Sequence, residues 1–307
     1  MDIDLEPGRY VVAVSGGVDS VALLHILTQV GMDSRLRGND KAGKYQFTVA
    51  HFDHGIREDS AEDRRLVQAL AREYGLPFAH HQGKLGPQAS EAQAREARYR
   101  FLHRVRQASG AGAVITAHHQ DDVLETVILN LLRGTGRRGL SSLKSTDVVK
   151  RPLLHVPKKE LLRFAKREGL SYREDSTNAD PKYLRNYIRQ NILPRFAETD
   201  REVLLATMRR AQELNEAIGQ QAVNYLHMQP AAGVLDRQAF IMLPHAVARE
   251  IMAEWLLANT GAQLSKKLLE RLVVAAKTGR SGSRVDVDKG HWLEIARQTL
   301  ALRTRER

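Results

Sequence analysis

Tyr10-Val11-Val12-Ala13-Val14-Ser15-Gly16-Gly17-Val18-Asp19-Ser20 runs directly into Val21-Ala22-Leu23-Leu24-His25-Ile26-Leu27. The valine-rich run reads as a buried strand, and the apolar residues after Val18 recur at helical spacing. Between them, two glycines flanked by two serines and an aspartate sit where a strand turns into a helix. Glycines at such a turn let backbone N–H groups converge on an anion, and the helix N-terminus adds partial positive charge. The hydroxyls of Ser15 and Ser20 can donate to phosphate oxygens, whereas Asp19 suits a Mg2+ better than the phosphate itself. The turn is a candidate phosphate site. It is not of the Walker type, because no Gly-Lys-Ser/Thr follows.

Outward from this turn, strands and helices alternate. Phe47-Thr48-Val49-Ala50 reads as the second strand, and His51, Asp53, His54 and Arg57 follow at its carboxyl end, where open α/β sheets bind ligands. Residues 60–74 form an amphipathic helix, 77–81 a third strand, and 90–107 an arginine-dense helix. Ala94, Arg98, Phe101 and Val105 share the inward face of that helix, so Arg98 requires an anionic partner. Residues 113–117 make the next strand, which leads into a helix ending at Leu132. The alternation predicts an α/β fold with a doubly wound parallel sheet and right-handed crossovers. Residues 32–44 are polar and glycine-punctuated, and they read as an exposed insertion after a first helix ending near Gly31.

The stretch His118-His119-Gln120-Asp121-Asp122-Val123-Leu124-Glu125-Thr126 is a second chemical centre. Asp122 and Glu125 are three apart and share a helix face, with His118 at the strand end. The residue types alone leave three roles open: a metal site, capture of a cationic substrate, or a structural network. Zinc is disfavoured, because the His-Glu-x-x-His spacing is missing and the sequence holds no cysteine. The same lack excludes disulfides and cysteine nucleophiles.

The 307 residues suggest two domains, and an apolar content of 42% with 27% charged residues is ordinary for a globular protein. No run approaches a membrane span, and the acidic start Met1-Asp2-Ile3-Asp4 is unlike a signal peptide, so a cytoplasmic protein is expected. The net charge of +11 is concentrated: residues 133–196 carry 16 Lys and Arg against 6 Asp and Glu, whereas residues 1–132 sum to −2. Such concentration points to a polyanionic partner, with a solvated basic face as the alternative. Arg133-Gly134-Thr135-Gly136-Arg137-Arg138 opens this segment as a flexible loop whose arginines can fork onto phosphates. Residues 157–168 form a basic amphipathic helix. Asp175 to Asn186 imitates a calcium loop but lacks the sixth-position glycine and the twelfth-position glutamate. Pro181 suits the first turn of a helix carrying Arg185 and Arg189. Beyond Phe196 the pattern is mostly helical, with a small β element near the end and Trp255 and Trp292 read as core residues.

Taken in order, six motifs resemble those of the tRNA(Ile)-lysidine synthetases, members of the N-type ATP pyrophosphatases or PP-loop superfamily. They are Ser15-Gly16-Gly17-Val18-Asp19-Ser20, His51-Phe52-Asp53-His54-Gly55-Ile56-Arg57, Ala94-Arg95-Glu96-Ala97-Arg98-Tyr99, the His118 to Thr126 block, Arg133-Gly134-Thr135-Gly136 and Arg185-Asn186-Tyr187-Ile188-Arg189. The resemblance implies a Rossmann-like PP-loop catalytic domain over 1–196, interrupted by the 32–44 insertion. A smaller, mainly helical, tRNA-contacting domain over 197–307 follows, as in the shorter form of the family.

The implied reaction uses ATP to adenylate the C2 oxygen of the wobble cytidine of a minor isoleucine tRNA with a CAU anticodon. The ε-amine of free L-lysine then displaces AMP to form lysidine. Ser15, Gly16, Gly17, Val18, Asp19, Ser20, His51 and Arg98 would bind ATP, with Mg2+ at Asp19. His118, Asp122 and Glu125 match the lysine-binding positions and, with Asp19, the catalytic ones. Arg57, Arg133, Arg137, Arg138, Arg185 and Arg189 would meet the tRNA, no membrane is involved, and a homodimer is left open. Lysine arrives protonated, with a pKa of about 10.4, so a base must take a proton; His118 is the best-placed candidate and Asp122 the second. Two other readings are a related ligase or tRNA thiolase and a non-catalytic tRNA-binding module. The thiolases use paired cysteines, and the intact Ser15–Ser20 turn speaks against a degenerate site.

Overall fold

The computed structural model describes residues 3–36, 45–55, 60–83, 86, 90–135, 137–140, 143–173, 184–231, 233–261 and 265–305. The chain divides into two compact units, Met1–Met208 and Arg209–Arg307.

The first unit begins with β1 (Gly8–Ala13), α1 (Val18–Leu36), β2 (Tyr45–Asp53), α2 (Ser60–Glu73), β3 (Phe78–Gln82) and α3 (Glu91–Ala108). It continues through β4 (Ala113–Ile115), α4 (Gln120–Leu132), the one-turn α5 (Arg137–Leu140), β5 (Val149–Lys150), α6 (Lys158–Arg167) and α7 (Leu184–Tyr187). A π-helical turn at Ile188–Ile192 and a 3-10 turn at Leu193–Arg195 lead into the long α8 (Glu198–His227). The five strands pair in parallel in the order β3-β2-β1-β4-β5.

The central position of β1 explains its valines. Val12, with Leu23, Leu27, Val67, Leu161 and Phe164, fills the core on one face. Val11, with Phe52, Phe101, Leu102 and Val114, fills it on the other. A strand covered on both faces needs an unbroken apolar run, not an alternating one. Each such side chain contributes about 1.5–3 kcal/mol on burial. The connections leave β1 and β4 toward opposite edges of the sheet, so a crevice opens at their carboxyl ends. Ser90 caps α3: its hydroxyl accepts from the Gln93 amide at 3.3 Å, and the Gln93 side chain accepts from the Ser90 amide at 2.9 Å.

Four local expectations change. The first helix runs through Gly31 to Leu36, so residues 32–36 are helical and not loop. One glycine inside a helix costs only about 1 kcal/mol, too little to end it. The remainder of the expected insertion, 37–44, lies outside the described residues. The loop expected from Arg133 onward is broken by α5, and the helix expected to carry Arg185 and Arg189 passes into the π turn; its expected start at Pro181 lies outside the described residues. The boundary between units falls at 208/209 rather than 196/197. Helix α8 carries Leu205 and Met208 into the same cluster as Val127, Ile128 and Leu193, so its first turns belong to the first unit.

The second unit holds the rest of α8, β6 (Val234–Asp236), α9 (Arg237–Met242), α10 (His245–Thr260), α11 (Lys266–Thr278), β7 (Ser283–Asp286), β8 (His291–Ile295) and β9 (Thr299–Thr304). Its antiparallel sheet has the order β6-β9-β8-β7. The expected β element therefore gains a fourth strand, β6, from far upstream. Trp255 is buried with Phe240, Leu272, Leu293 and Leu300. Buried Arg237 donates to the carbonyls of Ala276, Ala296 and Gly279, which ties α11 to the β8–β9 turn. Among the described residues, no helix is long and apolar enough to cross a membrane.

Candidate active site at the carboxyl ends of β1 and β4

Gly16 adopts φ +97°, a region that favours glycine, and this lets the chain turn sharply from β1 into α1. The Ser20 hydroxyl donates to the Gly17 carbonyl at 2.9 Å and accepts from the Ser15 amide at 3.1 Å. Ser20 is buried and its hydroxyl shapes the turn, whereas Ser15 is exposed at the mouth. The Arg173 amide donates to the Gly16 carbonyl at 3.0 Å, and its guanidinium pairs with Asp63 at 2.8 Å and with Glu62. The segment around Arg173 is thereby laid against the glycine turn.

Asp19 lies in the first turn of α1 and faces the neighbouring strand end. Lys158, the first residue of α6, donates to its two carboxylate oxygens at 2.5 and 2.7 Å. His119 Nε2 stands 3.5 Å from Asp19 Oδ2 and 3.5 Å from Asp122 Oδ2. Burial alone would raise the Asp19 pKa, but His119 and Lys158 outweigh it and hold the carboxyl below its ordinary value. Burial alone would lower His119, but Asp19 and Asp122 outweigh it and raise the imidazole above its ordinary value.

The turn after β4 supplies the other half. Thr116 Oγ1 and His118 Nδ1 are 2.9 Å apart, and the His119 amide donates to Asp122 Oδ2 at 2.9 Å, capping α4. Burial, opposed by Asp122 and aided by Arg151, Arg98 and Arg95, pushes His118 down to about 3. The imidazole is therefore neutral at physiological pH and, in this state, a weak base. Asp121 turns away from the centre: Oδ1 accepts from the Lys158 amide at 3.2 Å and Oδ2 pairs with Arg201 at 3.4 Å.

Glu125 is 0% exposed. Arg189 grips it in a fork, at 2.6 Å to Oε1 and 3.0 Å to Oε2, and Arg185 Nε adds a contact at 3.4 Å. Burial raises the Glu125 pKa against the pull of Arg189. Arg189 also reaches Asp122 Oδ1 at 3.6 Å. The expected tRNA ligands Arg185 and Arg189 are thus drawn inward onto the acid pair. Both face the groups expected to bind lysine, and Glu125 presents no free carboxylate. Arg98 is half-buried, with its guanidinium 5.6 Å from the Tyr99 ring; burial, Arg95 and Arg185 lower its pKa.

His51 is 3% exposed, and its Nδ1 lies 2.9 Å from the Val14 carbonyl, which fixes the proton there. Its Nε2 is a buried acceptor with no hydrogen-bond partner among the described residues. Arg133 is exposed just past α4; Arg57 and the side chains of Arg137 and Arg138 lie outside the described residues. Lys158, Arg173, Thr116 and Asp121 were not expected from the sequence. The Pro157-Lys158 helix start was visible, but nothing local connects it to Asp19.

Among the described residues, no group of three His, Asp or Glu side chains forms a preformed metal cage. Mg2+ is usually held by one or two carboxylates plus substrate phosphates, so Asp19, the carboxylate of residues 15–20, has the chemistry of that donor set, with Lys158 on both its oxygens in this structure.

A glycine turn with a carboxylate in the first helical turn, set at the switch point of a 3-2-1-4-5 parallel sheet, defines a nucleotide-phosphate site of the PP-loop class. The PP-loop domain model matches residues 3–196, and the chain belongs to that family. It is similar to the tRNA(Ile)-lysidine synthase of Nitrosomonas europaea, at 38% identity over 69% of this chain and 46% of that protein. The tRNA(Ile)-lysidine synthase of Solibacter usitatus is 31% identical over 92% of this chain and 59% of its own length. The chain spans about half the length of these curated relatives. In fold it is similar to a U34-tRNA thiolase from Methanococcus maripaludis that carries a [4Fe-4S] cluster, with a TM-score of 0.53, 18% identity, and coverage of 68% of this chain and 73% of that one.

Proposed function

We propose that this chain ligates free L-lysine to C2 of the wobble cytidine of a CAU-anticodon isoleucine tRNA, through an adenylated tRNA. Pyrophosphate leaves in the first step and AMP in the second. The observation that carries this reading is the meeting of the two motifs at His119, whose Nε2 is equidistant from the loop aspartate and the α4 aspartate. A phosphate site and a cation-binding carboxylate within one side chain of each other suit a reaction that first activates an oxygen with ATP and then delivers an amine. The tRNA substrate is supported by the names of the relatives and by the basic 133–196 segment.

In this reading the amides of the glycine turn and the Ser15 hydroxyl receive the nucleotide phosphates, and His51 Nε2 accepts from the base. Asp19 would hold a Mg2+, which when bound offsets negative charge on the departing diphosphate. Arg98 lies near His118 and supplies positive charge at the α-phosphate end. Asp122, the less enclosed acid, receives the lysine ammonium, and Glu125 holds Arg189 and Arg185 in place around it. His118, neutral and fixed through Thr116, orients the amine, so Asp122 becomes the stronger candidate base. Arg133, with Arg57, Arg137 and Arg138, contacts tRNA phosphates. The second unit adds further tRNA contact, and the protein works in the cytoplasm.

The test is tRNA-dependent pyrophosphate release from ATP, followed by incorporation of labelled lysine into the tRNA. Pyrophosphate release with no lysine incorporation would point to another PP-loop ligase. The thiolase alternative is disfavoured by the absence of cysteine from these 307 residues.

A further inference from the structure

Asp19 belongs to a turn otherwise built to attract phosphate, and a carboxylate there repels a polyanion unless a cation offsets it. The turn itself, residues 15–20, contains no lysine or arginine. The cation comes from 139 positions away: Lys158 donates to both Asp19 oxygens at 2.5 and 2.7 Å.

The two ends of this lysine are held differently. Its amide is fixed by Asp121 Oδ1 at 3.2 Å, and Asp121 is in turn paired with Arg201. Its side chain remains about a third exposed, at 31%. The four-carbon stem can therefore swing while its root stays in register with α4. Lysine suits this behaviour, since its ammonium is a compact point charge on a flexible stem. His119, the other group near Asp19, is a stiff ring, 6% exposed, and cannot follow.

We propose that Lys158 is an exchangeable cation of the phosphate site. Without nucleotide it neutralises Asp19, and when ATP arrives it transfers to the diphosphate oxygens, freeing Asp19 for the divalent cation. This rests on the reading of the turn as an ATP site and adds a residue and an order of events to it. The Lys158–Asp19 pair then acts as a placeholder: it keeps the empty site neutral and makes the affinities for nucleotide and metal depend on one another.

The test is equilibrium binding of ATP and of AMP to the full chain, in EDTA and in excess Mg2+. AMP lacks the two terminal phosphates that Lys158 would meet. In EDTA, Lys158→Ala should weaken ATP about 10- to 100-fold, the loss of a charge-assisted contact, while AMP affinity stays within about twofold. Asp19→Asn should act in the opposite sense: it releases Lys158 and removes the repulsion, so metal-free ATP binds more tightly and Mg2+ no longer improves it. Lys158→Arg should restore part of the ATP affinity, which separates charge from fold.

Three results would overturn the proposal. Unchanged ATP affinity in Lys158→Ala would leave the nucleotide site standing without this residue. Equal loss of ATP and AMP would make Lys158 a support of the turn only. Failure of the unaltered protein to bind either nucleotide would remove the ATP site and the exchange together.

Discussion

His119 Nε2 lies 3.5 Å from Asp19 Oδ2 and 3.5 Å from Asp122 Oδ2, so one imidazole links the helix that follows β1 to the helix that follows β4. Its pKa is raised in the folded protein, so the stability it contributes is complete below about pH 6.5 and is lost as pH climbs through the raised value. Asp19 is lowered, so its contribution is present above about pH 4 and is lost as pH falls through the lowered value. Denaturant titrations of His119→Asn and the unaltered protein should therefore differ most below about pH 6.5 and converge as pH rises through the raised His119 value. A constant difference across that range would mean that the ring acts by packing and not by charge.

His118 behaves differently from its neighbour. Pushed down to about 3, it should remain neutral from pH 5 to 9, and its ring resonances should not titrate there by NMR. His118→Ala should lower the lysine-dependent step without removing an ionisation near pH 6.5 from its rate profile. A His118 resonance titrating near neutrality would restore it as the leading base.

Glu125 and its arginines form a buried ion pair, and deleting one partner of such a pair costs about 3–5 kcal/mol. Glu125→Ala should lose stability on that scale in urea or guanidinium titrations. Asp122→Asn should lose less, because Asp122 remains 16% exposed and shares its charge with His119. Equal and small losses would free Glu125 for a ligand role.

The glycines of the turn make a paired prediction. Gly16→Ala forces a side chain into φ +97° and should cost about 1–2 kcal/mol together with nucleotide affinity. A methyl at Gly17 would meet Ser15 Oγ at 3.6 Å and the Arg173 carbonyl at 3.9 Å, ordinary contact distances, so Gly17→Ala should fold with near-normal stability. Reversed costs in thermal melts would contradict this account of the turn.

Neutralising Arg133, Arg137 and Arg138 together should weaken tRNA binding and lower its salt slope by about 2 to 3 units, with ATP binding unchanged. An unchanged slope would return them to a solvated face.

The sheet was legible because its signals are local. The valines of β1, the helical period after Val18 and the Ser90 cap each report on a few neighbouring residues. Right-handed crossovers set the face on which each connecting helix lies, but the order β3-β2-β1-β4-β5 depends on which strands pair and was not read from the sequence. The site was legible only in its two motifs. Arg189 meets Glu125 across 64 positions and Lys158 meets Asp19 across 139, and no period or spacing encodes such contacts. Residues that read as a basic, phosphate-seeking face were therefore partly counter-charges to buried acids. Gly31 misled for a related reason: glycine is a weak stop when the residues beyond it favour helix.

In the proposed reaction one site activates a tRNA with ATP and then hands it to lysine. The most direct measurement is a single turnover with ATP labelled at its α-phosphate, the isoleucine tRNA and no lysine, followed by addition of lysine. Label should appear on the tRNA before lysine, leave as AMP afterwards, be absent with Asp19→Asn and persist with Asp122→Asn. Label that never reaches the tRNA, or that leaves it at the same rate with and without lysine, would contradict that reaction.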